Sequence, residues 1–297
     1  MFNFRLKVFR SVAINRNFTK AAEELYITQP AVTKNIKELE NTLKVTLFER
    51  NKSGILLTKA GNILLKYTEE VLELDKKLEF DLGLLRDTLS GNLKIGASTT
   101  IGQYVLPAML AEFRKDHPDT GISLVNNNTL EIENEVISRE LDMGIVEGSA
   151  RKKELKYVPF MNDEIVAIAH TSQPISKTER LTTEELKATP LVLREIGSGS
   201  LEVILSKLAE SDVKLKDLNI LMHLGSTESI KGFLAECDCI GFVSIHAVSR
   251  EIVKGDFKII DIDGLEITRT FNFIYPQGQQ NGLAETFMGY LKSHKDI

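Results

Sequence analysis

Residues 18–40, FTKAAEELYITQPAVTKNIKELE, hold the pattern that decides the fold of the N-terminal part of the chain. Thr19 is the expected N-cap of a short helix over residues 20–25, whose paired alanines let another helix approach closely. Thr28 is the expected cap of a second helix, and Pro30 falls in its first turn, where a missing N–H costs little. The pattern predicts two helices joined by a tight turn.

The segments on either side complete a small domain. Apolar residues recur at helical spacing from Phe2 to Ala13, which predicts a first helix over residues 3–15. Apolar stretches flank the basic segment 50–54, which predicts a β-hairpin over residues 45–58 with a basic tip. The expected buried stripe of the helix after the turn is Val32, Ile36, Leu39 and Leu43. Together these elements predict a winged helix-turn-helix.

The solvent face of the second helix carries side chains that suit the major groove of DNA. The amide of Gln29 pairs well with adenine, the ammonium of Lys34 pairs with guanine or phosphate, and small apolar residues at the helix tip meet thymine methyl groups. The candidate DNA-binding residues are Thr19, Thr28, Gln29, Pro30, Ala31, Thr33, Lys34, Lys37, Arg50 and Lys52. An ordinary three-helix element with a solvated polar face has the same spacing and is the alternative.

The charge distribution supports a local contact with double-stranded DNA. The net charge of −5 argues against nucleic acid for the chain as a whole. Residues 1–59, however, hold 11 Lys and Arg against 5 Asp and Glu, whereas residues 60–297 hold 26 against 37. A basic head on an acidic body is suited to phosphate contact at one end of the molecule.

Other features of the composition exclude several classes of protein. No apolar run reaches the roughly 20 residues that span a bilayer, and the N-terminus has no signal-peptide segment, so we expect a cytoplasmic protein with no membrane partner. The five histidines have no ligand spacing, so no metal site and no cofactor are expected. Cys237 and Cys239 are too few for a disulfide framework and are interpreted as buried residues on a strand, with a redox thiol as the alternative.

A long helix is predicted after the hairpin. Its apolar seam follows steps of three and four, close to a heptad repeat: Ala60, Leu64, Tyr67, Val71, Leu74, Leu78, Leu82, Leu85 and Leu89. The segment Ser90-Gly91-Asn92 ends it. Such a seam needs a covering surface, which is either a partner helix or the body of the chain itself.

Strands and helices alternate through the rest of the chain. The predicted strands are 93–97, 122–125, 143–146, 191–193, 220–222, 240–243 and 271–275, and the predicted helices are 101–115, 131–139, 201–209, 229–236 and 283–292. This alternation predicts parallel sheets with helices on both faces. The last strand and helix are expected to return to the first of two such sets.

Three strand-to-helix junctions in this part are rich in hydroxyl groups. Ligands of open α/β folds bind at the carboxyl ends of the strands, where helix N-termini offer free N–H groups and a partial positive charge. The candidate effector-binding residues are Ser98, Thr99, Thr100, Arg194, Ser198, Ser200 and Thr227. These donors suit a small anion. Helix capping, for which Ser and Thr are common, is the alternative.

The N-terminal part contains the segments Phe18–Leu25, Thr28–Thr33, Leu47–Arg50 and Leu57–Gly61, with Ile36 and Leu39-Glu40 between them. Together these segments closely resemble the DNA-binding domain of LysR-type transcription regulators. The resemblance implies an α+β protein with a winged helix-turn-helix at 1–58, a dimerisation helix at 59–90 and an effector domain at 91–297. It further implies a homodimer or homotetramer.

LysR effector domains resemble two-lobed periplasmic binding proteins. We expect lobe I at about 91–162 and 268–297 and lobe II at about 163–267. The connecting strands are expected near 160–164 and 265–269.

Parts of the effector domain resemble the sulfur-assimilation branch of these regulators. The segments are Ala97–Pro107, Arg194–Gly199 and Gly225–Lys231. This resemblance implies sulfite or sulfate as the effector. A regulator of another pathway that senses a small carboxylate is the alternative. Two more distant alternatives are an enzyme and a solute-binding protein on the same two-lobed fold. The missing nucleophile elbow argues against the enzyme, and the basic head argues against the solute-binding protein.

Overall fold

Two units make up the structure, Met1–Asp87 and Thr88–Ile297. This computed structural model describes residues 2–51, 54–84, 89, 91–148, 151–278 and 282–294. Among these residues no helix combines the length and the apolar character that crossing a membrane requires.

The first unit is a winged helix-turn-helix followed by a long helix, as predicted. Its elements are α1 (Phe2–Asn15), α2 (Phe18–Glu24), α3 (Gln29–Leu43), β1 (Phe48–Asn51), β2 (Gly54–Leu57) and α4 (Lys59–Leu84). Strands β1 and β2 pair antiparallel to form the wing. The fully or nearly fully buried core residues include Leu6, Phe9, Val12, Ala21, Val32, Ile36, Leu39 and Leu47.

The caps of α2 and α3 fix the turn between the two helices. The expectation that Thr19 caps α2 is wrong: Asn17 is the cap, because its side chain accepts from the backbone N–H groups of Thr19 and Lys20 at 2.8 and 3.1 Å. Thr28 caps α3 as expected, with its hydroxyl accepting from the Ala31 N–H at 3.3 Å. A helix start satisfied by side chains in this way is well defined.

The predicted buried stripe of α3 is wrong at its last member. Leu43 is 37% exposed, whereas the three preceding members are buried. Leu43 is the last residue of α3, and the chain turns away at Lys44, whose φ of 55° is left-handed. The stripe therefore ends one turn earlier than the spacing indicated.

Helix α4 uses the two ends of its apolar seam differently. Ala60 and Leu64 pack against the core of the winged domain. The following seam residues are exposed in the single chain: Tyr67, Val71, Leu74, Leu78 and Leu82. Leu85 lies outside the described residues. The body of the first unit thus covers only the start of the seam.

The second unit alternates strands and helices as predicted. Its elements are β3 (Gly91–Ser98), α5 (Leu106–Asp116), β4 (Thr120–Asn127), α6 (Thr129–Ile137), β5 (Met143–Val146), β6 (Leu155–His170), β7 (Arg180–Leu181), α7 (Thr183–Ala188), β8 (Leu191–Arg194), α8 (Gly199–Glu210), β9 (Ile220–Leu224), α9 (Thr227–Glu236), β10 (Ile240–Ser244), α10 (Ile245–Lys254), β11 (Phe257–Ile259), β12 (Asp261–Ile262), β13 (Ile267–Pro276) and α11 (Gly282–Ser293). A π-helical turn, Ile101–Val105, precedes α5.

One sheet runs through both lobes of this unit, in the order β4-β3-β5-β13-β6-β10-β8-β9, with β11 also paired to β6. Strands β3, β4 and β5 are parallel in one lobe, and β8, β9 and β10 are parallel in the other. The antiparallel strands β6 and β13 cross between them and pair with each other over their lengths. The two-lobed fold predicted from the sequence is confirmed.

The two cysteines lie in a turn, so the expectation of a strand is wrong. Helix α9 ends at Glu236, and β10 begins at Ile240. Cys239 is buried and Cys237 is half-buried between them. The stretch is apolar because this turn packs against the core of the second lobe.

Candidate functional sites

The exposed surface of the helix-turn-helix carries most of the candidate DNA-binding residues. Thr19 lies on α2 and is exposed. The exposed candidates at or along α3 are Thr28, Gln29, Pro30, Lys34 and Lys37, whereas Ala31 and Thr33 are half-buried. Arg50 is in β1, and Lys52 lies outside the described residues. The N-terminal half of α3 therefore presents a continuous polar surface.

Local contacts order this surface before any DNA binds. The Gln29 amide donates to the Thr33 hydroxyl at 3.0 Å. Lys34 is 77% exposed and lies 4.0 Å from Glu38, whose carboxylate is bound by Arg5 at 2.5 Å. The Glu38 charge is thus largely satisfied by Arg5, which leaves the Lys34 ammonium available for a base or phosphate.

Tyr26 is a surface residue that the sequence reasoning treated only as part of the turn. It is 96% exposed, and its φ of 53° is left-handed, a conformation that non-glycine residues rarely adopt. The residue lies two positions before Thr28, the N-cap of α3. An aromatic residue in such a turn was the signal that could have identified it as a surface feature.

In the second unit, the candidate effector residues gather at the carboxyl ends of the strands. Ser98 is the last residue of β3, and Arg194 is the last residue of β8. The N-termini of α8 and α9 lie at the same end of the sheet. All of the candidates are buried: Ser98, Thr99, Thr100, Arg194, Ser198, Ser200 and Thr227. We call the space between the two lobes at these residues the cleft.

One member of this set caps a helix. The Ser198 hydroxyl accepts from the Leu201 N–H at 3.4 Å at the start of α8. Helix α9 is capped by Ser226, outside the set, whose hydroxyl accepts from the Ser229 N–H at 3.1 Å. By contrast, the hydroxyls of Thr100 and Thr227 have no hydrogen-bond partner among the described residues. These two hydroxyls are therefore free to contact a ligand in the cleft.

Arg194 is held in place by neighbouring groups. Its Nε and Nη2 donate to the two carboxylate oxygens of Glu195 at 2.8 and 3.0 Å. Its Nη2 also reaches the Thr99 hydroxyl at 3.3 Å and the Gly225 carbonyl at 3.5 Å. Arg194 therefore links the two lobes, and its charge is already balanced by a carboxylate.

A carboxylate that the sequence reasoning missed also lies between the lobes. Glu147, directly after β5, is buried. It accepts hydrogen bonds from Ser98 in one lobe and, at 3.2 Å, from Ser200 in the other. The predicted donors therefore already have an acceptor of the protein's own at this point.

A second arginine stands beside Glu147. Arg269, on β13, has its Nη1 at 3.4 Å from a Glu147 oxygen and donates from the same nitrogen to the Ser200 hydroxyl at 2.7 Å. Its Nε donates to Asp163 of β6 at 2.7 Å, and Ser244 donates to the other Asp163 oxygen at 2.6 Å. Arg269 and Asp163 face each other in the register of the crossing strands.

Gly199 marks the closest approach of the lobes. A Cβ there would lie 2.3 Å from the Glu147 carbonyl oxygen and 2.6 Å from the Thr129 hydroxyl. Both distances are far below van der Waals contact, so only glycine fits without movement of the backbone.

Across the cleft, Tyr104 donates a hydrogen bond to Glu228 of α9. Burial and that bond raise the pKa of Tyr104 well above its ordinary value. Burial opposes ionisation of Glu228, but its bonds to Lys231 and Tyr104 prevail and lower its pKa. Among the described residues, no group of His, Cys, Asp and Glu is arranged to hold a metal ion.

Both units match a known family. The pattern described as "Bacterial regulatory helix-turn-helix protein, lysR family" matches residues 4–62, and the pattern described as "LysR substrate binding domain" matches residues 86–296.

Full-length relatives and a solved structure agree with this. The "Probable RuBisCO transcriptional regulator" of Thalassiosira pseudonana is 34% identical over 275 residues, 91% of this chain and 90% of the relative. The "HTH-type transcriptional regulator CysL" of Bacillus subtilis (strain 168) is 29% identical over 290 residues, 97% of this chain and 96% of the relative. The Synechocystis PCC6803 CcmR regulatory domain in complex with 2-PG is similar with a TM-score of 0.63 and 27% identity, covering 69% of this chain and 98% of that one.

Proposed function

Because this chain belongs to the lysR family of bacterial regulatory helix-turn-helix proteins, we propose that helix α3 reads its DNA site and that the cleft binds a small anionic effector. The protein is a DNA-binding transcription regulator with an effector domain. We further propose that its role is regulatory rather than catalytic and that it acts in the cytoplasm.

The DNA proposal rests on the order of the α3 surface. Gln29 and Lys34 are both exposed in the first two turns of the helix, where a recognition helix contacts base edges. Thr28 is engaged in capping, so we assign it a role in placing the helix start against the backbone of the duplex. We assign phosphate contacts, which carry no sequence information, to Arg50 of β1 and to Lys52.

The DNA proposal is tested with duplexes selected by the protein from a random pool. Lys34→Ala should weaken binding to the selected duplex by about 1–3 kcal/mol and reduce discrimination at one position. Lys52→Ala should weaken binding to selected and scrambled duplexes alike. Lys115→Ala, at an exposed position of α5, is the control and should change neither. Equal losses on both duplexes for Lys34→Ala would contradict base reading.

The exposed part of the α4 seam supports a homo-oligomer. Leu74 is 66% exposed in the single chain, and the seam residues on either side of it are also exposed. A heptad-like apolar surface of this kind is stable when a second helix covers it. We assign the seam to pairing between two copies, which would place two winged domains on a two-fold DNA site.

The effector proposal is carried by one observation: the buried residues Thr100 and Thr227 use their hydroxyls in no hydrogen bond among the described residues, and they lie in a cleft that also holds two arginines. Hydroxyl and guanidinium donors at helix N-termini favour an oxyanion or carboxylate. The candidates are sulfite or sulfate, which the resemblance to the sulfur branch favours, and 2-PG, which the similar CcmR domain binds.

The effector proposal is tested by thermal unfolding of the full chain with sulfite, sulfate, 2-PG and small carboxylates. A ligand present at a hundred times its Kd stabilises the folded state by about 2.7 kcal/mol. Thr100→Val, which removes a hydroxyl at nearly constant volume, should reduce that stabilisation. Thr286→Val, on the exposed side of α11, is the matched control. A wild-type protein stabilised only by neutral or cationic compounds would refute the proposal.

A further inference from the structure

Arg269 has hydrogen-bonding capacity that the protein itself leaves unused. Its side chain is only 2% exposed, and its Nε and Nη1 are engaged with Asp163 and Ser200. Its Nη2, however, is buried with no partner among the described residues. A buried, unpaired donor on a guanidinium costs free energy, so the site favours an additional acceptor.

The carboxylates around Arg269 outnumber its guanidinium. Two buried carboxylates, Glu147 and Asp163, share it, and the His246 imidazole lies 3.8 Å from Asp163. Asp163 is also bound by Ser244 and faces Arg269 across paired strands, which makes it the structural partner of the arginine. Glu147 is the less firmly held carboxylate, since its ion-pair distance to Arg269 is 3.4 Å against 2.7 Å for Asp163.

Glu147 occupies the donors that an anion would use. The hydroxyls of Ser98 and Ser200 both point to its carboxylate. Elsewhere in the cleft, Glu195 holds Arg194 through two bonds. An anion that entered beside Glu147 would meet a like charge in a buried space, where repulsion is strong.

We propose that the Glu147 carboxylate is an internal substitute for the effector's anionic group, and that the effector displaces it to bind Arg269 through both Nη1 and Nη2, together with Ser98 and Ser200. This inference rests on the proposed function and names the part of the cleft that receives the charge. The ligand class is a small oxyanion or carboxylate with two acceptor oxygens in one plane, which matches the fork of a guanidinium.

The backbone of Glu147 permits such an exchange. Its carbonyl oxygen accepts from the Thr129 hydroxyl at 2.9 Å and lies against Gly199, so the main chain is held in place. Rotation of the side chain alone would free the donors. Because Glu147 joins Ser98 of one lobe to Ser200 of the other, the exchange also changes what links the lobes, which gives the effector a differential affinity for two arrangements.

The test is calorimetric titration of the full chain with sulfate and with 2-PG. Glu147→Gln keeps the shape and an acceptor oxygen but removes the competing charge, and it should bind the anion at least about tenfold more tightly, or about 1.4 kcal/mol. Glu147→Asp, which withdraws the carboxylate by one methylene, should give a smaller gain in the same direction and serves if the Gln variant folds poorly. Glu131→Gln, at an exposed position of α6, is the control and should bind as the wild type does.

A second pair of variants identifies the arginine. Glu195→Gln releases Arg194 in the way that Glu147→Gln releases Arg269. A gain confined to Glu147→Gln, and abolished by adding Arg269→Lys, supports the assignment, because lysine keeps the charge but lacks the two-pronged geometry. A gain for Glu195→Gln alone would overturn it.

The outcomes separate this inference from the proposed function. If the wild type binds an anion and Glu147→Gln binds it equally or more weakly, the substitution role of Glu147 is wrong while the anionic effector stands. If neither protein binds any anion, both proposals fail.

Discussion

Gly199 offers the sharpest test of how closely the two lobes approach. Gly199→Ala would place a Cβ 2.3 Å from the Glu147 carbonyl oxygen, more than about 1 Å short of ordinary contact at roughly 3.5 Å. The atoms it meets are backbone oxygen and carbon as well as a buried hydroxyl, so no flexible side chain can yield cheaply. The backbone of one lobe must shift relative to the other.

The expected cost follows from that shift. Overpacking of a tight site costs about 1–3 kcal/mol, and for a unit of this size each kcal/mol lowers the midpoint of thermal unfolding by about 2–4 °C. Gly199→Ala should therefore lower the midpoint of the effector unit by about 2–12 °C. Because Ser200 and Glu147 move with it, anion affinity should fall as well.

Gly232 provides the matched control. It lies inside α9, and a Cβ there would have no heavy atom within 4 Å beyond its own local surroundings. Gly232→Ala should stabilise the helix by about 0.5–1 kcal/mol, since alanine loses less conformational entropy on folding. Glycine-to-alanine substitution should thus lower the stability of the protein at Gly199 and raise it at Gly232. A Gly199→Ala protein as stable as the wild type would refute the close approach described for the lobes.

Two further predictions concern the helix seam and the cysteines. Replacing both Leu74 and Leu78 by Glu should dissociate the oligomer, because charges would be buried in the seam at a cost of several kcal/mol. Sedimentation velocity measures the size of the particle. A particle of unchanged size with intact helix content would exclude the seam as the interface. Burial, aided by the hydrogen bond with Cys237, raises the pKa of Cys239 to about 12. Its thiolate fraction at pH 8 is therefore very small, and alkylation of Cys239 by iodoacetamide should be slow in the native protein and fast in denaturant, as followed by peptide mass spectrometry. Rapid native labelling of Cys239 would reopen a redox role.

Local sequence signals predicted the first unit well. Thr28 and Pro30 place the start of α3 because capping and the missing N–H act within one helical turn. The error at Thr19 has the same local origin, since Asn17 two residues earlier is the better-placed acceptor. Leu43 has apolar spacing, but the chain leaves the helix at Lys44, and spacing does not encode where the neighbouring element lies.

The cleft was predicted less completely, for a different reason. Its hydroxyls follow strand ends, which the alternation of strands and helices locates. Glu147 and Arg269, by contrast, meet through the pairing of β13 with β5, the strand that Glu147 follows, and no local pattern contains that pairing. The pairing of Arg194 was visible in principle, because Glu195 is its neighbour in the chain.

The order of the strands has a consequence for biosynthesis. In the first lobe, β13 pairs with β5, and Phe113 of α5 packs edge-on against Phe287 and Tyr290 of α11 at ring distances of 5.0 Å. Those partners are translated about 170 residues after Phe113. The DNA-binding unit and the parallel strands of the second lobe are therefore complete on the ribosome while the first lobe still lacks part of its core. A nascent chain would gain the fold of its DNA-binding unit well before the cleft between its lobes. Because contacts of such long sequence separation form slowly, we expect closure of the first lobe to be a slow step of folding.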